Sequence, residues 1–484
     1  MQVRTRFAPS PTGYMHIGNL RSGLYAYLFA RKAGGRFLLR IEDTDQDRLV
    51  EGATELIYHT LKDVGMDWDE GPDIGGEYGP YVQSQRKALY LPYAGQLIQS
   101  GHAYRCFCTK EELEQRRGEA AARGETFKYD KHCLHLSQQE IDQKLACGLP
   151  YVVRQNVPEA GVTSFTDLIF GTITVPNHDL DDAVLIKADG MPTYNFANVV
   201  DDHLMAISHV MRGMEYLAST PKYNLLYEAF GWEIPQYIHM TPIMRDAQHK
   251  LSKRDGDASY ADFIDKGYLK EAILNYIALL GWNPGDERER FTLSELCQAF
   301  DVKGMSKSPA IFDPAKLTWL NAQYIRDLTP AQFTAHAAPY YKTAGIESMD
   351  VDVLCRILQP RVEIFSQIPD MVGFLAALDG TYDIELFTNK KSKTDAVVSR
   401  DVLIKVIPLL KTLPDWSETA LHDALMDMAQ AQGIKNGTLL WPVRIALAGR
   451  LVTPGGAIEI ACLLGREEAL RRLALGVEKL REAN

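Results

Sequence analysis

The sequence predicts an α/β fold: a doubly wound parallel sheet, broken by an α+β insertion and followed by all-α C-terminal domains. Three observations carry this reading. Residues 3–41 run strand, loop, helix, strand. That rhythm stops between residues 92 and 194 and then resumes. Beyond residue 255 the apolar positions recur at helical spacing.

The elements follow in order. A short strand over residues 3–8 leads into Pro9-Ser-Pro-Thr-Gly13, a loop by composition. Leu20, Leu24, Tyr27 and Leu28 then recur at helical spacing, and Gly34-Gly35 supplies the stop. Phe37-Leu-Leu-Arg-Ile41 is a compact apolar strand with the acidic run Glu42-Asp-Thr-Asp45 at its carboxyl end. Ligands of a doubly wound, Rossmann-type sheet sit outside that end of its strands. The stretch 92–194 holds four of the seven cysteines and the strand-like pieces Tyr151-Val-Val-Arg154 and Gly171-Thr-Ile-Thr-Val175. Alternation returns with a strand over 206–211, a helix near 223–230 and a strand over 237–240. Further on, Leu421, Ala424, Leu425 and Met428 mark a helical face with Gly433 as its stop, and 463–480 reads as another helix. The expected domains are 1–91 with 195–247 (the sheet), 92–194 (the insertion), 248–330, and 331–484 (helical).

The chain has 484 residues, 46% of them hydrophobic and 24% charged, an ordinary soluble globular mix. No apolar run approaches the roughly 18 residues of a membrane helix, and no targeting peptide is expected before the first motif. Seven cysteines in a chain this long make no disulfide framework, so a reducing, cytoplasmic compartment is expected. A net charge of −11 argues against a nonspecific DNA coater but leaves room for a selective RNA binder with local basic patches. Asn389-Lys-Lys-Ser-Lys393 is one candidate patch, and a solvated linker is the plainer alternative for it.

Two short motifs carry the chemistry. One is Arg6-Phe-Ala-Pro-Ser-Pro-Thr-Gly-Tyr-Met-His-Ile-Gly-Asn19; the other is Lys250-Leu-Ser-Lys-Arg254. His16 can donate to a phosphate oxygen, and Gly13 and Gly18 allow close backbone approach. The helix opening near Asn19 directs its N-terminal dipole at the same anion. Lys250 and Lys253 flank a turn and can neutralise a leaving pyrophosphate. A lone His-Ile-Gly arises often by chance; the longer frame and the pairing of the two motifs are far more specific. Gly304-Met-Ser-Lys-Ser308 is a rival for the second motif, but it carries Gly304 where the first lysine belongs and lies in a stretch that already reads helical.

Together the motifs resemble the ATP-handling signatures of class I aminoacyl-tRNA synthetases, and nearly the whole chain resembles the bacterial-type glutamyl-tRNA synthetase family. The resemblance is carried by Thr5-Arg-Phe-Ala-Pro-Ser-Pro-Thr-Gly13, Arg40-Ile-Glu-Asp-Thr-Asp45, Pro192-Thr-Tyr-Asn-Phe-Ala-Asn-Val-Val-Asp-Asp-His203, Val210-Met-Arg-Gly-Met-Glu215, Lys250-Leu-Ser-Lys-Arg254 and Pro442-Val-Arg-Ile-Ala-Leu-Ala-Gly449. It implies ligation of L-glutamate to tRNA through glutamyl-adenylate, with ATP and Mg2+, by a monomer that binds neither DNA nor membrane. It implies a glutamate pocket of Arg6, Ala8, Ser10, Glu42, Tyr194, Asn198 and Arg212. It implies an ATP site of Gly13, His16, Gly18, Asn19, Glu215, Lys250, Leu251, Ser252, Lys253 and Arg254, with His16, Lys250 and Lys253 catalytic. The chemistry is consistent: a dicarboxylate needs cations, for which Arg6 and Arg212 are the candidates, and its ammonium needs an anion such as Glu42. Asn19 stands where the general class I motif ends in histidine.

Cys106-Phe-Cys108 and Cys133-Leu-His135 offer three thiolates and an imidazole, a tetrahedral zinc set. Some members of the family hold a structural zinc at this spacing. His132 and Tyr129 are nearby substitute ligands, and free thiols beside a surface histidine are the alternative. The family also implies that the insertion receives the tRNA acceptor end and the helical domains read the anticodon. There, Gln359 stands before Pro360-Arg361 where members that accept only the glutamate tRNA tend to carry arginine. Glutamine can donate and accept, so charging of the glutamine tRNA as well is one expectation, and selectivity enforced by other C-terminal residues is the alternative. The competing readings are a glutaminyl-tRNA synthetase, a truncated relative that modifies a tRNA base, a catalytically silent paralogue and a shorter nucleotidyltransferase.

Overall fold

A computed structural model of the chain describes residues 2–251 and 258–482. The chain divides into two compact units, Met1–Phe263 with Ile273–Asp313, and Ile264–Ala272 with Pro314–Asn484.

Among the described residues the first unit contains eleven strands: β1 (Arg4–Phe7), β2 (Arg36–Leu39), β3 (Ala103–Cys106), β4 (Val152–Gln155), β5 (Val162–Asp167), β6 (Gly171–Pro176), β7 (Val184–Ile186), β8 (His209–Gly213), β9 (Gln236–Met240), β10 (Ile243–Met244) and β11 (Ala310–Ile311). β1 and β2 pair in parallel, joined by helix Ile17–Lys32. Leu20, Leu24 and Leu28 of that helix are fully buried, as their spacing predicts. β8 and β9 pair in parallel, and the backbone N–H of Ser208 donates to the Arg4 carbonyl (3.0 Å), which brings β8 alongside β1 on the side away from β2. Chain direction across the sheet therefore reverses between β1 and β8. That reversal is a topological switch point, where the carboxyl ends of neighbouring strands open a crevice.

The interrupting stretch contributes two things. β3, β4 and β7 form an antiparallel sheet of their own. The β5–β6 hairpin instead extends the main sheet, because β5 pairs in parallel with β9 at Asp167 and Tyr237. Sequence reading treats that hairpin simply as part of the insertion. The strand expected from residue 206 begins at His209 because Ala206 takes a left-handed conformation (φ 53°) after helix Tyr194–Leu204.

The second unit is helical around one apolar core. Leu421 and Leu425 are fully buried in helix Glu418–Ala431, and Gly433 follows it at φ 63°. The last helix, Ala457–Glu482, starts earlier than expected and is broken at Gly465 (φ 72°). The basic run at 389–393 forms a turn closed by reciprocal backbone bonds between Asn389 and Thr394 (3.0 and 3.1 Å). Among the described residues no helix is long and apolar enough to cross a membrane.

Candidate active site

A cavity of about 390 Å³ opens at the switch point. Its walls are the segment that leaves β1, the ends of β8 and β9, and the first turn of helix Ile17–Lys32. Arg6, Ala8, Ser10, Glu42, Tyr194 and Arg212 line it, and so do His16, Gly18, Asn19, Glu215, Lys250 and Leu251. Residues far apart in sequence thus meet around one space. Two expected members stand outside the wall. Gly13 turns the preceding loop (φ 120°). Asn198 is buried on helix Tyr194–Leu204, and its side-chain amide donates to the Tyr194 carbonyl (2.7 Å). Ser252, Lys253 and Arg254 lie outside the described residues. The rival lysine, Lys307, is exposed and does not line the cavity.

His16 caps helix Ile17–Lys32: its Nδ1 accepts from the backbone N–H of Gly18 (3.0 Å). A neutral ring with Nδ1 as acceptor carries its proton on Nε2. A Cβ on Gly18 would lie 3.1 Å from that Nδ1, so the glycine keeps the cap uncrowded. The helix N-terminus with its dipole and Lys250 bring positive charge to the wall here, and the Glu215 carboxylate lines the same cavity.

Beneath the other end lies a buried charge lattice. Arg6 donates through Nε and Nη2 to the two oxygens of Asp202 (2.9 and 3.0 Å). Arg40 bridges Asp202 (2.7 Å) and Glu42 (2.8 Å). Asp201 accepts from Arg86 (2.7 Å), Gln83 (3.0 Å) and Tyr90 (2.9 Å). The Nε and Nη2 edge of Arg6, a residue expected to face a substrate carboxylate, is therefore taken by Asp202. Burial pushes the Glu42 carboxyl up, against the pull of Arg40 and Arg6. For Asp202, burial acts upward too, but Arg6 and Arg40 outweigh it and hold the carboxyl below its ordinary range.

Arg212 has a different environment. It is 6% exposed. Its Nε donates to His239 Nε2 (3.1 Å) and its Nη2 to Thr220 Oγ1 (2.8 Å). The guanidinium carbon lies over the rings of Tyr216 (5.1 Å), Tyr223 (4.9 Å) and Tyr237 (5.4 Å). Among the described residues no carboxylate is ion-paired with it. His239 Nδ1 in turn meets the Asp167 carboxylate (2.8 Å), and both side chains are fully buried. Arg40 and Asp202 sit within segments the sequence reading singles out, whereas Asp167 and His239 carry no sequence signal. They are an isolated acid and an isolated histidine in two strands.

Away from the cavity, Cys106, Cys108 and Cys133 bring their sulfurs within 4.8 Å of one another. The Tyr129 hydroxyl sits among them, 3.2 Å from Cys106 Sγ, 3.3 Å from Cys108 Sγ and accepting from the Cys133 N–H (3.2 Å). His135, the expected fourth ligand, is exposed and outside this group. The nearby Cys133 thiol, the Tyr129 hydroxyl and the Arg154 guanidinium favour the thiolate at Cys106 and draw its pKa down, against burial. Three thiols with one thiolate favoured suit a soft divalent ion such as zinc.

Gln359, expected to read an anticodon base, follows helix Val351–Leu358. Its side-chain N–H groups donate to the carbonyls of Leu328 (2.7 Å) and Ile325 (3.0 Å), with Arg326 at 3.4 Å. The amide thus serves the Leu328 carbonyl just past helix Pro314–Asp327 and gives Ile325, which also accepts from the Leu328 N–H (3.3 Å), a second donor.

Comparison with known proteins agrees with this architecture. Residues 2–319 match the family described as tRNA synthetases class I (E and Q), catalytic domain, and residues 332–477 match an anticodon binding domain. A glutamate–tRNA ligase of Clostridium botulinum (strain Eklund 17B / Type B) is 55% identical over 482 residues, 99% of each chain. One from Clostridium kluyveri is 56% identical over 480 residues, covering 99% of this chain and 98% of its own. The crystal structure of a glutamate tRNA ligase from Elizabethkingia meningosepticum, in complex with its amino acid, superposes with a TM-score of 0.89 at 34% identity, over 99% of this chain and 100% of that one. With a crevice at the switch point, a helical second unit and relatives matched end to end, the chain belongs to the class I tRNA synthetases of the E and Q group, among the glutamate–tRNA ligases.

Proposed function

We propose that this chain activates L-glutamate with ATP as glutamyl-adenylate, releasing pyrophosphate, and transfers the glutamyl group to the 3′ end of the glutamate tRNA. The observation that carries the reading is Arg212, a buried cation on the cavity wall held by uncharged groups, so its charge remains for a substrate carboxylate. Glu42, facing the same space, supplies an anion for the substrate ammonium. Arg6, paired with Asp202, orients rather than supplies net charge. At the opposite end His16 offers its Nε2 proton to an ATP phosphate oxygen. The helix N-terminus, Lys250 and, from outside the described residues, Lys253 oppose charge gathering on the leaving pyrophosphate, and Mg2+ accompanies the phosphates. Gly18, Asn19, Glu215 and Leu251 shape that side.

Residues 92–194 take the acceptor end in this reading, 248–330 the stem and 331–484 the anticodon. Zinc, if bound, ties the insertion together through Cys106, Cys108 and Cys133, with Tyr129 better placed than His135 as fourth ligand. It stabilises and takes no part in the reaction. Metal analysis of purified protein, with a C133S variant as control, is expected to give one zinc per chain and none in the variant. Charging of the glutamine tRNA, expected from Gln359, has no free amide donor behind it at that position. The deciding experiment is pyrophosphate exchange. Exchange dependent on glutamate and on the cognate tRNA is expected; exchange supported by glutamine instead, or none under any condition, overturns the proposal.

A further inference from the structure

The geometry points to Asp167 and His239 as a positioning pair that holds Arg212 in register while leaving its charge uncompensated, and so sets the preference for a side-chain carboxylate over an amide. This inference rests on the proposed role of Arg212 as the cation for glutamate.

An arginine side chain can only donate. The Arg212 Nε–H points at His239 Nε2 (3.1 Å), so that ring nitrogen must be a bare acceptor. The proton of the neutral imidazole is then on Nδ1, and it donates to Asp167 Oδ2 (2.8 Å). Asp167 is itself fixed: Oδ1 accepts from the backbone N–H groups of Ile169 (2.8 Å) and Phe170 (2.9 Å), and Oδ2 also accepts from the His239 backbone N–H (3.0 Å). Burial keeps His239 in its neutral form by pulling its pKa below the ordinary value.

The contrast with Arg6 shows what the imidazole contributes. Asp202 bonds Arg6 directly through both oxygens, so a carboxylate, shared with Arg40, lies against the Arg6 guanidinium. Asp167 is one ring further from Arg212. The interposed imidazole passes on the orientation of the carboxylate without an adjacent negative charge. A cation without a paired anion in a low-dielectric wall discriminates strongly between a carboxylate and its uncharged amide. Thr220 Oγ1, which accepts from Nη2 (2.8 Å) and donates to the Tyr216 carbonyl (2.8 Å), holds the other nitrogen in the same uncharged manner. The acid of the pair comes from the β5–β6 hairpin, which gives that hairpin a reason to join the main sheet beside β9.

The test is steady-state kinetics in the presence of cognate tRNA, with KM for glutamate and for ATP measured separately and the kcat/KM ratio of glutamate to glutamine recorded. In D167N the amide oxygen stays with the Ile169 and Phe170 N–H groups, and the NH2 group meets both the ring Nδ1 and the backbone N–H of His239, which Oδ2 had served. That reverses the tautomer and sets two donors, Nε2–H and the Arg212 Nε–H, against each other. D167N and H239L are expected to raise KM for glutamate about tenfold or more and to erode the glutamate preference, with KM for ATP within about twofold. H239Q, whose carbonyl can still accept from Arg212 Nε, is expected to stay within about threefold of the unchanged protein. R212A separates the two layers. If R212A leaves the glutamate KM unchanged, the role of Arg212 itself fails. If R212A raises it and H239L does not, the positioning pair fails. A parallel rise in both KM values, or no rescue by H239Q, likewise overturns the pair as a purely structural effect. Should D167N not fold, the H239L and H239Q comparison decides the matter by itself.

Discussion

At the scale of single residues, the cavity contrasts two arginines that look equivalent in sequence. Arg6 and Arg212 both line it, yet one is paired with a carboxylate and the other is held by neutral groups. Asp202 is the pivot of the first arrangement, because it accepts from both Arg6 and Arg40. D202N removes one anion from between two buried cations, and such a loss costs about 3–5 kcal/mol. Urea unfolding at neutral pH is expected to register that loss. The pH dependence has a defined sign. The native Asp202 carboxyl titrates below its unfolded value, so its contribution is complete above about pH 4 and disappears as pH falls through the lower native value. Glu42 titrates in the opposite sense, its native pKa being raised by burial against Arg40 and Arg6. D202N is therefore expected to flatten the acid limb of the stability profile, and an unchanged limb would place the effect elsewhere. Arg6, Arg40, Glu42 and Arg212 were legible because each lies in a recognisable segment. Their partners were less so. The fork of Arg6 reads as a ligand site until Asp202 is found across from it, and nothing in a lone Asp167 or His239 announces a pair 72 positions apart.

At the scale of elements, periodicity located the long helices and the buried strands, and it failed where elements are short or where a hairpin changes sheets. β10 and β11 have two residues each, too few for any alternation to register. β5 alternates exposed and buried positions as a half-buried strand should, but its pairing with β9 depends on a partner some seventy positions away. Gln359 is a different case: the family resemblance marks it as unusual, and its side-chain amide bonds backbone carbonyls next to the end of helix Pro314–Asp327. Removing its donors takes a partner from the Leu328 carbonyl and leaves Ile325 with only the Leu328 N–H (3.3 Å), a cost of about 1–3 kcal/mol. Q359L is expected to lower the unfolding free energy by that margin, read as a lower denaturation midpoint. Q359R, which can still donate to those carbonyls, is expected to restore it. On the capping geometry neither change alters the ratio of glutamine-tRNA to glutamate-tRNA charging, so a selective loss of glutamine-tRNA charging in Q359R would return Gln359 to the role of base reader.

At the scale of the whole molecule, the net charge of −11 sets a constraint on how an acidic protein handles a polyanion. Repulsion summed over the chain disfavours tRNA, so binding has to rely on local clusters of cations at the surface. Those contacts act through solvent and release counterions, and their strength falls with salt. The contact proposed between Arg212 and glutamate is of another kind. Arg212 is enclosed by His239, Thr220 and three tyrosine rings, where mobile ions screen poorly. The two substrates should therefore respond differently to ionic strength. Raising monovalent salt from about 50 to about 200 mM is expected to weaken tRNA binding by about tenfold or more. Over the same range KM for glutamate at saturating tRNA is expected to move by less than about twofold. A glutamate KM that climbs in step with that of tRNA would mean that the amino acid is held by exposed charge, and the buried cation on the cavity wall would lose its place as the determinant of substrate choice.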